Sequence, residues 1–142
     1  MKQLILFSAF GFCLLAACNN HNTEKEAIIK AYFSGWEKKN WNLVEQQLAP
    51  SFTFTSPNND DHLPIRAFRD KCWEQATHVD HVAFERFAVT DSGCYVTYQL
   101  FTKEKASFRN TEYFMFSDGK ISSIEVFFGR GEGAEGFPSN KK

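Results

Sequence analysis

What this 142-residue sequence lacks narrows its function before any motif is read. The formal charge is −1 and no basic stripe appears, so the electrostatic footprint of a nucleic-acid binder is missing. The longest apolar run, Leu4 to Ala17, is too short to cross a hydrocarbon core of ~30 Å as an ordinary helix. His62 beside Asp60 and Asp61, and His78 with His81, offer histidines without the three or four convergent ligands that a transition metal needs. Cys72 or Cys94 would need a positioned histidine to act as a nucleophile, and none is implied. No internal repeat is visible, and nothing asks for a cofactor.

What the N-terminus does contain is more specific. Lys2 supplies a minimal positive start, and Leu4–Ala17 is apolar apart from Ser8 and Gly11. A basic start, a short apolar run and small residues at its end mark an export signal. Leu15-Ala16-Ala17-Cys18 resembles the lipobox of bacterial lipoproteins, whose cysteine thiol receives a diacylglyceryl group before cleavage frees a new amino terminus. The other reading is an ordinary secretory signal with a chance cysteine. Asn19 stands where inner-membrane retention uses Asp, which implies the outer membrane of the envelope, on its periplasmic or surface side. A multiply acylated terminus holds stably, since each buried methylene adds ~0.8 kcal/mol.

The expected organisation is a signal over 1–17, a lipidated polar tether over 18–23, one domain over 24–129 and a loose tail over 130–142. Removing 17 of 142 residues leaves 125, which suits one domain, and losing Lys2 takes the charge from −1 to −2. Cys72 and Cys94 are then the remaining thiols, either paired or, as we favour, separately buried. The aromatic residues are concentrated in this domain, with every Phe except Phe7, Phe10 and Phe12, and must be buried or line something.

Thr23 fits a helix N-cap, and Ile28, Ile29, Tyr32, Phe33 and Trp36 recur on one helical face. Asn40 fits the left-handed turn at its end, Asn42 a cap for a second short helix, and Pro50 its stop. Phe52, Phe54 and Ser56 alternate on one face of a strand, and Pro57–Asp61 reads as a loop. Pro64 opens a third helix carrying Ile65, Phe68, Cys72 and Trp73. Period-two patterns then predict strands near 80–90, 94–103, 108–117 and 121–128, with turns at Asp91-Ser92-Gly93 and Ser117-Asp118-Gly119. The class is α+β: a curved antiparallel sheet with three N-terminal helices on one side, enclosing a cone-shaped space.

This order, with Glu26–Phe33, Leu43-Val44, Ala49–Phe52, Tyr113–Phe116, Asp118–Ile121 and Ile124–Gly129, resembles the NTF2-like superfamily over residues 24–129. Within it the chain is similar to SnoaL-type and ketosteroid-isomerase-type domains, which implies a cone-shaped α+β roll of the cystatin-like kind. That superfamily holds isomerases, cyclases, epoxide hydrolases, dehydratases and non-catalytic binders, so the site has to decide. The isomerase comparison implies a carboxylate base before a proline, a tyrosine on the first helix and an acid on the penultimate strand. These positions fall on Ser56, Tyr32 and Glu112. A serine cannot abstract a carbon-bound proton without another base, which disfavours steroid isomerisation. Arg66, Arg69 and Asp70 share one helix and do not form the Asp-Arg-Asp set of epoxide hydrolysis.

Alternation puts Glu112 on the face of Phe114 and Phe116, where desolvation would favour the neutral acid. The alternative is a carboxylate paired with a cation at the rim, or a slipped register. The expected pocket is Tyr32, Trp36, Phe54, Ser56, Glu112, Phe114, Val126 and Phe128, with Trp36 either at its mouth or plain core. Three functions follow: binding of a small apolar or carbonyl-containing ligand, an enzyme acting on a carbonyl through Glu112 and Tyr32, or a module that dimerises through the outer sheet face.

Overall fold

The computed structural model describes residues 13–127, with side chains from residue 22 onward. Residues 1–12, where most of the expected signal falls, the Cys18 side chain, Phe128 and the expected tail lie outside what is described. The first helix, α1, spans Cys13–Glu37. It starts ten residues before Thr23, so Thr23 is not its cap, and residues 18–23 are helical where a tether was expected. The local sequence explains this: Leu14 to Ala17 are strong helix formers, and no glycine or proline interrupts the chain between Cys13 and Gly35.

Lys39, with φ 56°, takes the left-handed turn expected of Asn40. Asn40 instead caps α2 (Trp41–Glu45), its side-chain oxygen accepting from Asn42 N at 3.1 Å, in the role expected of Asn42. Strand β1 runs over Leu48–Ser56 and so contains Pro50, which was expected to end a helix. The proline is tolerated because pairing with the neighbouring strand is irregular between Leu48 and Thr53.

Strand β2 (Asp60–Pro64) takes the last two residues of the expected loop and the start expected of the third helix, turning back on β1 through Asn59 at φ 61°. Helix α3 (Ile65–Cys72) follows and tightens into a 3₁₀ turn over Trp73–Thr77. The meander is β3 (Val79–Val89), β4 (Gly93–Thr102), β5 (Ser107–Ser117) and β6 (Lys120–Phe127). One sheet results, in the order β2-β1-β6-β5-β4-β3, antiparallel except for the parallel β1–β6 pair. Register shifts in the β1–β2, β3–β4 and β5–β6 pairings are of the kind that bends strands, and the sheet is curved and unclosed.

The helices cover the concave face. Ile29, Val44, Phe52, Phe114, Ile121 and Ile124 form the closed part of the core between them. Gly93 is required by close approach: a Cβ there would lie 2.3 Å from the Phe114 carbonyl oxygen. Both thiols are free, Cys94 fully buried and Cys72 half-buried. The two ends of the sheet differ. Lys25 Nζ donates to Thr90 O at 2.9 Å, which fixes the early part of α1 to the β3–β4 turn. At the other end Lys39 Nζ reaches Val79 O, and Lys103 N donates to His78 O at 2.9 Å.

Candidate functional site

A cavity of about 230 Å³ opens between the concave sheet, α1 and α3. Tyr32, Phe33 and Trp36 enter it from α1, Phe54 from β1 and Phe68 from α3. Val79, Val82, Leu100 and Val126 complete an apolar wall. Asn58, Lys71, Gln75 and Phe108 line it while remaining exposed, so they mark its mouth. The mouth therefore lies at the end of the sheet away from the Lys25–Thr90 contact.

Two polar groups break the apolar wall. The first is deep. Strict alternation along β5 turns Asn110, Glu112 and Phe114 inward, and β4 sets Tyr98 directly opposite Asn110. Tyr98 donates to Glu112 Oε1 at 2.6 Å, and Asn110 Nδ2 donates to the same oxygen at 3.3 Å and to the Tyr98 hydroxyl at 3.0 Å. Glu112 Oε2 is buried and has no hydrogen-bond partner among the described residues; neither does the indole N–H of Trp36. Burial pushes the Glu112 carboxyl up to about 7, against the opposing hydrogen bond from Tyr98. Burial, and then the Glu112 charge, hold the Tyr98 and Tyr32 phenols well above their usual range. Because Oε1 accepts two hydrogen bonds, the proton of the neutral acid belongs on Oε2, as a donor without an acceptor.

The second group is near the mouth. Ser56 Oγ donates to Asp60 Oδ2 at 2.5 Å and accepts from Asn58 N at 3.2 Å. Lys71 forms an ion pair with Asp60 Oδ1. Asp60 is 5% exposed although it stands next to a turn.

Tyr32, Trp36, Phe54, Ser56, Glu112 and Val126 are thus gathered around one space. Phe114 is not: it is fully buried, its ring packed edge-on against Tyr32 and Phe33. It shares the inward face of Glu112 but lies two residues further along β5, where the sheet and α1 have closed. Phe128 lies outside the described residues. The sequence reading missed Tyr98 and Asn110, although Val96-x-Tyr98 and Asn110-x-Glu112 place them on inward faces by the same alternation. It also missed Asp60 and Lys71, for which no periodic signal exists. His62, His78 and His81 are exposed and paired with Asp61, Glu104 and Asp80. Among the described residues, no three His, Cys, Asp or Glu side chains gather as a metal site.

Comparison with solved structures fits this geometry. An NTF2-like protein of unknown function from Cytophaga hutchinsonii superposes with a TM-score of 0.60 at 14% identity, covering 74% of this chain and 89% of that one. The chain has an NTF2-like fold. A candidate ketosteroid isomerase from Kribbella flavida shares this NTF2-like fold with a TM-score of 0.63 at 15% identity, over 77% of this chain and 80% of its own. TerC, crystallised with polyporic acid, gives 0.61 at 15%, over 75% and 92%. No family model matches the sequence, and no curated protein matches it. At these identities the likeness carries the NTF2-like fold and leaves the activity to the site.

Proposed function

We propose that this chain is an envelope-anchored lipoprotein whose domain binds a small, largely apolar ligand bearing a carbonyl. The observation that carries the reading is Glu112 Oε2, a buried oxygen without a hydrogen-bond partner among the described residues, on a residue lining an aromatic-walled cavity. A buried polar atom left unpaired costs ~1–3 kcal/mol, and a ligand acceptor would recover it. The TerC structure with polyporic acid supports small-molecule binding on this fold.

The test is ketone binding against pH, followed by quenching of tryptophan fluorescence, since Trp36 lines the cavity. Neutral Glu112 donates, so affinity for 1-tetralone should fall as pH rises through about 7. Glu112→Gln, an isostere of the neutral acid, should bind the ketone with no such dependence, and Glu112→Ala should bind it weakly. Wild-type binding that ignores pH, or is absent, would sink the reading.

A second reading is an enzyme acting on a carbonyl through Glu112 and Tyr32. The neutral-acid donor and the Tyr32 phenol, which line the same cavity, favour it. Against it, Ser56 at the expected base position has its hydroxyl engaged by Asp60 and Asn58. Glu112→Gln and Tyr32→Phe should abolish any turnover of a ketone substrate without unfolding the domain. Self-association is the third: Tyr95 and Phe127 are exposed on the outer face, and sedimentation of wild type against Phe127→Glu tests it.

Anchoring at Cys18 rests on the lipobox-like Leu15–Cys18 and on Asn19. Metabolic labelling with palmitate, lost in Cys18→Ser, is the measurement; label retained in that variant would refute it.

A further inference from the structure

The Asp60–Lys71 pair and the Glu112 carboxyl line the same cavity, one near its mouth and one deep. We infer that the mouth pair is a second recognition site, and that the ligand is a hydroxy-ketone: an apolar ring skeleton with a carbonyl at one end and a hydroxyl at the other. This rests on the carbonyl-binding reading of Glu112 and adds the other half of the ligand.

The chemistry follows from which valences are in use. An ionised carboxylate offers about four acceptor sites. Asp60 uses one for the Ser56 hydroxyl and one toward Lys71. An ammonium carries about three N–H donors, and the Lys71 side chain, half-exposed at 50%, is engaged at Asp60 Oδ1. The pair therefore presents an acceptor and a donor side by side to the cavity. A hydroxyl is the smallest group that answers both, donating to Asp60 and accepting from Lys71. A bare cation would meet the Lys71 charge and a bare anion the Asp60 charge, so a neutral group fits better than either. The wall between the two polar sites, with Trp36, Phe54, Phe68 and Leu100, suits a flat apolar body.

Ser56 has a defined part in this. Its hydroxyl is oriented by Asn58 N and spends its proton on Asp60, so it positions the carboxylate and does not itself address the ligand. Asp60 is buried despite flanking a turn, which a merely solvated loop aspartate would not need to be.

The experiment compares 1-tetralone, 6-hydroxy-1-tetralone and 6-methoxy-1-tetralone on the folded domain at pH 6, by calorimetry. The hydroxyl lies across the ring from the carbonyl. A hydrogen bond to a charged group is worth about tenfold or more in affinity, so the hydroxy compound should bind at least that much tighter than its parent. The methoxy compound, which cannot donate, should fall back to the parent's affinity. Asp60→Asn should lose the hydroxyl preference while still binding 1-tetralone. If Asp60→Asn does not fold, the methoxy comparison on wild type decides the same point. Equal affinities for all three compounds, or a preference that survives in Asp60→Asn, would overturn the hydroxy-ketone inference and leave the Glu112 site standing. Failure of all three compounds to bind would overturn both.

Discussion

The hydroxyl of Tyr98 and the carboxyl of Glu112 meet at 2.6 Å across neighbouring strands, inside the protein and at the wall of its cavity. This bond stabilises the charged carboxylate, while burial stabilises the neutral acid, and burial wins. The outcome, about 7, leaves both forms of Glu112 populated at neutral pH. Removing the bond shifts that balance in one direction only. Tyr98→Phe should raise the Glu112 pKa above the wild-type value, measured by carbon-detected NMR titration of the labelled carboxyl. A value unchanged, or lowered toward the usual carboxylate range, would show that Tyr98 does not hold the acid.

The same group makes stability depend on pH. The folded pKa, about 7, lies above the ordinary 4.5, so the native state keeps a proton that the unfolded chain releases. Between those values the unfolded state binds fewer protons, and stability must fall as pH rises. The contribution is intact below about 4.5, declines through the interval and is lost above about 7. Its full size is roughly 3 kcal/mol at 1.36 kcal/mol per unit. Thermal melts of Glu112→Gln across this range should lack that decline, whereas an identical pH slope in wild type and variant would place the dependence elsewhere.

Phe68 joins fold and site. Its ring lies 4.7 Å from Phe54, 5.4 Å from Phe52 and 6.1 Å from both Trp36 and Trp41, and it is 1% exposed. Phe68→Ala should cost about 3–5 kcal/mol by denaturant unfolding, because the surrounding rings cannot collapse fully into the space. A loss below about 1 kcal/mol would mean that α3 is not packed as described.

The parts that were legible in the sequence are those specified locally. Asp91-Ser92-Gly93 and Ser117-Asp118-Gly119 announce their turns, and alternation between them gives the meander and the inward face of Glu112. Strand β2 was illegible because Asp60-Asp61-His62-Leu63-Pro64 has little intrinsic strand preference; it is extended because β1 pairs with it. Asp60 was lost with it, since aspartates after Pro57-Asn58-Asn59 read as turn residues until tertiary packing buries one. Phe114 was misplaced for a related reason. Alternation says which face a residue takes, and says nothing of how far along that face the cavity extends.

Cys18 lies on α1, upstream of Lys25, which is fixed to the β3–β4 turn, while the mouth residues Lys71 and Gln75 lie at the opposite end of the sheet. A lipid on Cys18 would therefore hold the turns at 90–92 and 117–119 toward the bilayer and the mouth toward water. Ligand would enter from the aqueous side and would not slide in from the membrane. Fluorophores attached at Asp118→Cys or Gln75→Cys, with Cys72 replaced by Ser to leave one reactive site, report this orientation in vesicles containing brominated lipid. Quenching should be strong at residue 118 and weak at residue 75 in the acylated protein. Equal quenching at the two positions would mean that the anchor does not orient the domain, and stronger quenching at 75 would turn the mouth to the membrane and make a bilayer lipid the more natural ligand.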